Sequence, residues 1–526
     1  MCFLIGVDVG TQGSKGVIVS EAGQVLAFHS IEQTVSLPRP GWAEHDADAA
    51  WWSGFVEVVR VLLARSGIDP RDVSAVGVSA LMPVMLPVDD RGKPLRPAIL
   101  YADTRAHDEM TMMNRHLAGR GLRPTVAHDV GPKIVWFRDH EPDQWQKTRS
   151  IIGAQGYVAF KLTGRTVIDQ FTSLGFHPFI DPDRYEWDAV TCDLFGIPSE
   201  FLPEVVQMTD VIGTVTTAAA TETGLAEGTA VIGGATDFIA EIISTGAQAD
   251  GDVVVTYGTT FCLVAFSQTP IGSCPGLAPI LQRNDELLRL YPDLYSVGGG
   301  MATSGALARW FRDQFGQAEH RLEQNLGQNA YGALGQEAEA VPPGAEGLVV
   351  LPYFSGERSP IHDDLARGVI FGLTLAHSRG HVYRALLEGV AYGVQHHLQL
   401  MREAGVTPRR IVATGGGSRS RLWTQIVSDV TGLPQEVISP SNAALGAAFL
   451  AGYAVGAFGE ISDVRRWARA EEEVYPRPGI HDEYQRYYEI YRRLYERTKE
   501  EMHDLARLGT EAPRMPERPD LAMQPR

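Results

Sequence analysis

The residues best suited to chemistry lie near the start of the chain, where a carboxylate precedes a glycine-rich turn. Asp8 ends one apolar run, a turn with three glycines follows, and a second apolar run returns at Val17-Ile18-Val19. This pattern predicts a β-hairpin. The backbone and side-chain groups of the turn that could cradle phosphate oxygens belong to Gly10, Thr11, Gly13, Ser14, Lys15 and Gly16. Asp8 could then hold a divalent metal, or its water, beside the phosphates. The alternative is that the glycines serve only the turn and that Asp8 is a solvated charge.

A second segment about halfway along the chain repeats this arrangement. Residues 253–266 are again an apolar run, a turn that contains Gly258 and Thr259, and another apolar run. Two such hairpins suggest two related domains that face one nucleotide. Neither hairpin contains the Walker A pattern, and no G-x-G-x-x-G motif follows a strand. Phosphate binding by paired hairpins resembles the actin-like ATPase superfamily.

Asp237 is the candidate general base. It follows an apolar strand and a Gly-Gly-Ala turn in the segment 231–236. A carboxylate held at the end of a strand in this way could accept a proton from a substrate hydroxyl. The alternative is that Asp237 is the N-cap of a helix that begins at Phe238.

Composition bounds the class of protein. The 526 residues exceed what one hydrophobic core usually supports, so two large domains are expected. A net charge of −18 argues against a nucleic-acid partner, because no basic excess exists to release counterions. The four cysteines show no C-x-x-C spacing, which fits a reducing cytoplasm. We expect neither a signal peptide nor a membrane span, because the only short apolar run at the N-terminus contains Asp8 and no run of 18 apolar residues occurs.

Strand and helix patterns alternate through both halves of the chain, which predicts an α/β fold. Buried strands are expected at 73–78 and 410–415, and helical spacing is found at 59–63 and 385–400. We place the domain limits at 1–246, 247–470 and 471–526. The last segment contains an amphipathic helix over 481–508, whose tyrosine stripe we expect to pack on the body, and a disordered tail over 509–526.

Five separated motifs, taken together, identify a family. They are the first hairpin, Pro40-Gly41-Trp42-Ala43-Glu44-His45-Asp46 with Trp51-Trp52, Gly131-Pro132-Lys133-Ile134-Val135-Trp136, Leu351-Pro352-Tyr353-Phe354-Ser355-Gly356-Glu357-Arg358-Ser359-Pro360, and Gly415-Gly416-Gly417-Ser418-Arg419-Ser420-Arg421-Leu422-Trp423. In this order they resemble the FGGY carbohydrate kinases, and most closely the xylulokinase-like branch. The resemblance covers the chain from residue 4 to about residue 455.

The resemblance implies two RNase H-like domains around a central cleft, in which the γ-phosphoryl group of Mg-ATP is transferred to a sugar or polyol hydroxyl. Asp237 would be the catalytic base and Asp8 the metal ligand. The residues implied to bind ATP are Gly10, Thr11, Gln12, Lys15, Gly258, Thr259, Gly305, Gly416 and Ser420. The glycines at 415–417 would let a flat adenine lie against the backbone. The alternative is that they form only a turn between a strand and a helix. Relatives are often dimers, so a homodimer is one option, although no interface can be read from the sequence.

The sequence departs from the family pattern where the sugar should bind. Many xylulokinases have Ser-Gly-Gln-Met-His-Gly where this chain has Ser79-Ala80-Leu81-Met82-Pro83-Val84, and Phe238 replaces the usual Asn or Gln after the catalytic acid. The implied substrate contacts are Met82, Pro83, Tyr101, His128, Asp237 and Phe238. Because these polar partners are lost, two alternatives stay open for the substrate. It is D-xylulose, or it is a deoxy-ketose, a short polyol or a pentulose bound in another orientation. Glycerol is disfavoured, because the Arg-Glu pair of glycerol kinases is absent at Met82-Pro83.

Two other classes of function compete with a sugar kinase. One is a non-catalytic or regulatory member that binds nucleotide or sugar without transfer, and loss of Asp8 or Asp237 would mark it; both residues are present. The other is an actin-like ATPase that assembles or acts as a chaperone, for which no sugar-kinase motifs are expected.

Overall fold

The computed structural model describes residues 2–274, 276–281, 291 and 294–511. Its strands, in chain order, are β1 (Phe3–Val9), β2 (Gly13–Ser20), β3 (Val25–Glu32), β4 (Glu44–His45), β5 (Val73–Ala80), β6 (Leu86–Val88), β7 (Ala98–Ile99), β8 (Ser150–Ile152), β9 (Val167–Asp169), β10 (Ile180–Asp181), β11 (Glu186–Trp187), β12 (Glu204–Val206), β13 (Val211–Thr214), β14 (Ala230–Ile232), β15 (Ala235–Thr236), β16 (Asp252–Tyr257), β17 (Phe261–Ser267), β18 (Ala278–Leu281), β19 (Tyr295–Met301), β20 (Val349–Leu351), β21 (Val369–Phe371), β22 (Arg410–Thr414), β23 (Gln435–Ile438) and β24 (Ala470–Val474).

The α-helices of the described residues surround these strands. They are α1 (Ser53–Ser66), α2 (His107–Leu117), α3 (Val130–His140), α4 (Pro142–Trp145), α5 (Ala154–Thr163), α6 (Gln170–Ser173), α7 (Ala189–Leu194), α8 (Thr217–Thr223), α9 (Asp237–Ser244), α10 (Gly305–Phe315), α11 (Gln317–Leu326), α12 (Ala330–Glu339), α13 (Arg379–Glu403), α14 (Arg421–Thr431), α15 (Ala443–Ala454) and α16 (Ile480–Glu511). None of them combines the length and apolar character that crossing a membrane requires.

Two large mixed sheets share one strand order. In the first sheet, β3, β2 and β1 are antiparallel neighbours, and β5 and β14 continue the sheet parallel to β1. In the second sheet, β19, β17 and β16 are antiparallel, and β22 and β23 continue parallel to β16. The two predicted hairpins are therefore confirmed as β1–β2 and β16–β17, and they occupy equivalent positions in the two sheets.

Helices α9 and α15 pack against each other between the sheets and enter a shared apolar core. That core contains Leu4 and Ala75 from the first sheet together with Val254 and Val412 from the second. Close approach explains three glycines: Cβ atoms added at Gly6 and Gly77 would lie 1.9 and 2.1 Å from backbone oxygens of α15, and one added at Gly446 would lie 1.8 Å from the Ala240 oxygen. The backbones of the two halves thus touch where a side chain would separate them.

We expect Gly446→Ala to destabilise the protein, because the new methyl group would overlap a backbone oxygen that cannot rotate away. The expected loss is about 1–3 kcal/mol or more, the range for overpacked cores. Denaturant unfolding followed by circular dichroism measures it. Gly335→Ala is the matched control, because a Cβ there meets nothing within 4 Å and alanine favours a helix. An unchanged Gly446→Ala midpoint would contradict this account of the helix crossing.

The long C-terminal helix packs on the second half of the protein. Tyr484, Tyr488 and Tyr491 are buried in its core, which confirms the expected role of the tyrosine stripe. The predicted tail was placed too early, since α16 continues to Glu511; residues 512–526 lie outside the described residues.

Candidate active site

The turns of both hairpins face one cleft of about 1010 Å³ between the two sheets. The predicted site residues that line this cleft are Asp8, Gly10, Thr11, Gln12, Lys15, Asp237, Phe238, Gly258 and Gly416. They come from distant segments of the chain, and the two mixed sheets bring them together because each hairpin turn lies at the equivalent edge of its own sheet.

Asp8 lies at the floor of the cleft, at the end of β1. The Ser79 hydroxyl donates to Asp8 Oδ1 at 3.1 Å, and Lys15 Nζ lies 3.9 Å from Oδ2. Burial raises the pKa of Asp8 to about 6, although the Lys15 charge opposes the shift. The ionised form of this buried carboxylate has only the distant Lys15 charge to stabilise it, so a bound divalent cation would stabilise it further.

A magnesium ion bound with ATP fits this donor set. Within the described residues, no group of three or more His, Cys, Asp or Glu side chains could hold a metal by itself. Mg²⁺ in nucleotide sites is commonly held by one or two carboxylates together with phosphate oxygens and water, and Asp8 supplies one carboxylate next to the phosphate turn.

Asp237 is the first residue of α9, and it is not the helix cap. Thr236 caps the helix by accepting a hydrogen bond from the Ile239 amide at 3.2 Å. The Phe238 amide donates to Asp237 Oδ1 at 2.7 Å, and Oδ2 has no hydrogen-bond partner among the described residues. The N-cap alternative is therefore wrong for Asp237, and one carboxylate oxygen is left available in the cleft.

The electrostatic surroundings of Asp237 suit a general base. Burial, together with the negative charge of Asp8, raises its pKa to about 7. A base works best when its pKa lies near the working pH, because it is then both deprotonated and able to hold a proton.

This pKa predicts how activity depends on pH. Below about pH 7 the Asp237 carboxyl is protonated and cannot take the proton from the substrate hydroxyl. The value of kcat/KM for Mg-ATP should therefore rise as the pH increases from 5 to 8. Steady-state kinetics in buffers of constant ionic strength measure the profile. A rate that stays flat across this range would exclude Asp237 as the titrating base.

The glycines of the first hairpin do not all face the phosphates. A Cβ at Gly13 would lie 2.3 Å from the Ile31 oxygen, and one at Gly16 would lie 2.4 Å from Val58 Cγ1. Ser14 is fully buried, so its hydroxyl does not reach the cleft. Strand and helix packing thus explains Gly13, Gly16 and Ser14. Gly13 also lines the cleft, together with Gly10, Thr11 and Lys15.

A second cavity of about 680 Å³ adjoins the cleft on the side of the second sheet. Its walls include the predicted nucleotide residues Gly258, Thr259, Gly305, Gly416 and Ser420. The size and the mainly non-ionic walls near Tyr257 and Trp423 suit a nucleoside, and the shared residues Gly258 and Gly416 connect this cavity to the phosphate side of the cleft.

Hydrogen bonds fix the second phosphate turn to helix α10. The Gly305 amide donates to the Gly258 oxygen at 2.9 Å, and the Ser304 and Ala306 amides donate to the Thr259 oxygen at 3.1 Å each. A Cβ at Gly305 would lie 2.6 Å from the Gly258 oxygen, so glycine is required for this contact.

Ser420 and Gly416 differ in what they do for the fold. The Ser420 hydroxyl accepts from the Trp423 amide at 3.4 Å and so caps α14. A Cβ at Gly416 would meet nothing within 4 Å. The fold therefore does not require glycine at 416, and the open space there belongs to the two cavities.

The predicted sugar contacts other than Asp237 and Phe238 do not line either cavity, but Tyr101 lies close to the first hairpin. The Tyr101 hydroxyl lies 3.4 Å from the Thr11 hydroxyl. Lys133, which is fully buried, donates from Nζ to the backbone oxygens of Tyr101 and His128 at 3.3 and 3.4 Å. Desolvation lowers the pKa of His128, which favours the neutral form of its ring.

The segment around Met82 and Pro83 packs inward. Pro83 is buried, and a Cβ at Gly175 would lie 2.5 Å from its side chain. Leu81 is also buried, as part of the core of the first half. Of the three apolar replacements seen in the sequence, Phe238 is the one that lines the cleft.

Sequence reasoning missed Glu241 and Arg419, which also line the cleft. Burial raises the pKa of Glu241 to about 7, and the Asp8 charge adds to the shift. Glu241 could have been predicted from the sequence, because a residue four positions after Asp237 lies on the same face of a helix. Arg419 lines both cavities, and its signal was its position between Gly416 and Ser420, which the resemblance implies to bind ATP.

Curated proteins similar to the chain include xylulose kinases, gluconokinases and a glycerol kinase. It is 27% identical to the xylulose kinase of Bacillus subtilis, over 95% of this chain and 98% of that protein. It is 28% identical to the gluconokinase of Bacillus subtilis, over 88% of this chain and 90% of that protein.

A solved structure agrees with these relatives. The xylulose kinase from Rhodospirillum rubrum superposes with a TM-score of 0.81 at 33% identity, over 95% of this chain and 100% of that one. The match confirms the predicted fold class, two α/β domains of the actin-like ATPase superfamily around a cleft.

The family models decide the family. The model described as "FGGY family of carbohydrate kinases, N-terminal domain" matches residues 3–244, and the corresponding C-terminal domain matches residues 253–455. The chain therefore belongs to the FGGY family of carbohydrate kinases.

Proposed function

We propose that this protein transfers the γ-phosphoryl group of ATP to a hydroxyl of a sugar or polyol, with Asp237 as the general base. The observation that carries the proposal is the place of Asp237 in the cleft, between two glycine turns that suit phosphates, with one free carboxylate oxygen and a pKa near 7. Phosphoryl transfer depends mainly on positioning and on stabilising charge, and it needs a carboxylate near the attacking hydroxyl.

The other residues of the cleft take supporting roles in this proposal. Gly10, Thr11, Gln12 and Lys15 would hold phosphates from one side, and Gly258 with Thr259 from the other. The adenosine would occupy the adjoining cavity against Gly305, Gly416 and Ser420. Asp8 would hold the Mg²⁺, which neutralises phosphate charge when it is bound.

For the acceptor we propose a small sugar or polyol, with a pentulose such as xylulose as the first candidate. Support comes from the xylulose kinases among the relatives. Phe238 is the feature of the cleft that argues for a different acceptor, because a phenyl ring cannot replace the hydrogen bonds of an amide. Met82, Pro83, Tyr101 and His128 remain predicted contacts on the sugar side.

An acceptor panel tests both parts of the proposal. ATP turnover should be slow alone and should rise when pentuloses, hexuloses, deoxy-sugars, aldonates and four- to six-carbon polyols are supplied one at a time. A nucleotide turnover that no acceptor changes would favour an actin-like ATPase, and binding without turnover would favour a non-catalytic member.

Phe238 makes the panel a prediction about specificity. We expect an acceptor with fewer hydroxyls than D-xylulose on the Phe238 side to have the highest kcat/KM, since each lost partner of a buried hydroxyl costs about 1–3 kcal/mol. Phe238→Asn should then raise kcat/KM for D-xylulose relative to that acceptor. A wild-type preference for D-xylulose over every other acceptor would contradict the altered pocket.

A further inference from the structure

A ring of polar side chains joins helix α9 to the second half of the protein. We call it the junction ring, and it consists of Glu241 and Ser244 on α9, Thr414 at the end of β22, and Ser441 just before α15. The Thr414 hydroxyl lies 3.4 Å from Glu241 Oε1 and 3.1 Å from the Ser441 hydroxyl. The Ser441 and Ser244 hydroxyls are 2.9 Å apart, and Ser244 donates to the Glu241 backbone oxygen at 2.7 Å.

Counting protons shows which form of Glu241 completes the ring. The ring has four contacts, and its three hydroxyls supply three protons. An ionised Glu241 would leave one contact without a proton, whereas a neutral Glu241 supplies the fourth. Burial, together with the charge of Asp8, raises the pKa of Glu241 to about 7, in the direction that this count requires.

The ring connects three elements that serve different parts of the cleft. Glu241 lies one helical turn after Asp237, on the same face of α9. Thr414 directly precedes the glycine turn that contains Gly416 at the nucleotide cavity. Ser441 precedes Asn442, which caps α15, the helix that crosses onto the first sheet.

We propose that Glu241 is a positioning residue, which ties the catalytic helix α9 to the segment that ends at Thr414 and so holds Asp237 in place. The inference rests on the proposed function of the cleft. It assigns to Glu241 no contact with the reacting atoms: its effect on phosphoryl transfer passes through α9, while the nucleotide itself binds at the turn.

The test compares Glu241→Ala, Glu241→Gln and Thr414→Val in the full-length protein. The acceptor is D-xylulose, or the best acceptor of the panel if D-xylulose is not used. Glu241→Ala should lower kcat by about 2- to 13-fold, the range for the loss of one net hydrogen bond. Glu241→Gln should stay near the wild-type kcat, because its amide supplies the fourth proton. The affinity for the ATP analogue AMP-PNP, measured by calorimetry, should be nearly unchanged in all three.

A double variant separates coupling from general damage. Thr414→Val removes the other partner of the same contact, so Glu241→Ala combined with Thr414→Val should be no slower than the slower single variant. Additive losses in kcat, or a Glu241→Ala enzyme as fast as the wild type, would overturn the proposal. A loss of AMP-PNP binding parallel to the loss of kcat would also overturn it, since the role would then be structural.

One control variant and one comparison with the wild type separate failure of the proposed function from failure of the proposed role of Glu241. Glu227→Gln makes the same chemical change at an exposed position and should leave kcat and KM unchanged. If the wild type phosphorylates no acceptor of the panel, the proposed function fails before any variant is compared. If the wild type is active and Glu241→Ala is equally active, the proposed role of Glu241 alone fails.

Discussion

Replacing Asp237 with asparagine should lower kcat by ~10²- to 10⁴-fold, the contribution of a positioned general base. Asparagine fills the same space and can still accept the hydrogen bond from the Phe238 amide, so α9 should keep its position. It cannot take a proton from the acceptor. Because Asp237 also faces the charge of Asp8, removing its own charge should leave ATP binding equal to or slightly tighter than in the wild type.

The measurements are steady-state kinetics with the best acceptor and calorimetric binding of AMP-PNP. Asp90→Asn, at an exposed position, is the matched control and should behave like the wild type. The pH dependence below about 7 should disappear in Asp237→Asn if the same carboxyl is the titrating group. Retention of near-wild-type transfer would remove Asp237 from the mechanism.

Replacing Gly416 with valine should block the nucleotide without harming the fold. A Cβ at this position meets nothing within 4 Å, and the backbone there is outside the left-handed region. The protein without bound nucleotide should therefore tolerate valine. Gly416 lines both the cleft and the nucleoside cavity, so the new side chain would take space that the nucleotide needs. An overlap worth about 1–3 kcal/mol would raise the Kd for ATP by about 5- to 150-fold.

Two further variants separate a loss of nucleotide binding from a loss of stability. Gly459→Val is the matched control, because a Cβ there also meets nothing within 4 Å but lies outside both cavities. Gly415→Val should instead unfold more easily, because Gly415 has a φ of 90° and a Cβ there would lie 2.9 Å from the Tyr257 oxygen. An ATP affinity of Gly416→Val equal to that of the wild type would place the nucleotide elsewhere.

Both hairpins and the strand before Asp237 could be predicted from the sequence because their signals are local. Apolar runs, glycine turns and the carboxylate at the end of a strand are all read within about fifteen residues, and the structure places β1–β2, β16–β17 and Asp237 accordingly. The same holds for the tyrosines of α16, whose helical spacing predicts one buried face.

Other assignments depended on atoms that are close only in the folded chain. The sequence could not tell that Gly13 and Gly16 are required by Ile31 and Val58, or that Gly16, unlike Gly10 and Gly13, does not line the cleft. It left open whether Asp237 is the N-cap of α9, because aspartate is a common N-cap residue; the hydrogen bond from the Ile239 amide to the Thr236 hydroxyl assigns the cap to Thr236.

The sequence by itself determined the two α/β halves, the two glycine-containing hairpin turns and the carboxylates Asp8 and Asp237, since each depends on the order of residues in one short segment. Only the tertiary structure decided what lies between the halves. The crossing of α9 and α15, the junction ring around Glu241 and the position of Phe238 in the cleft all join segments about two hundred residues apart. Their contacts arise from the packing of one sheet against helices of the other half, and the period of side chains along a single segment carries no information about that packing.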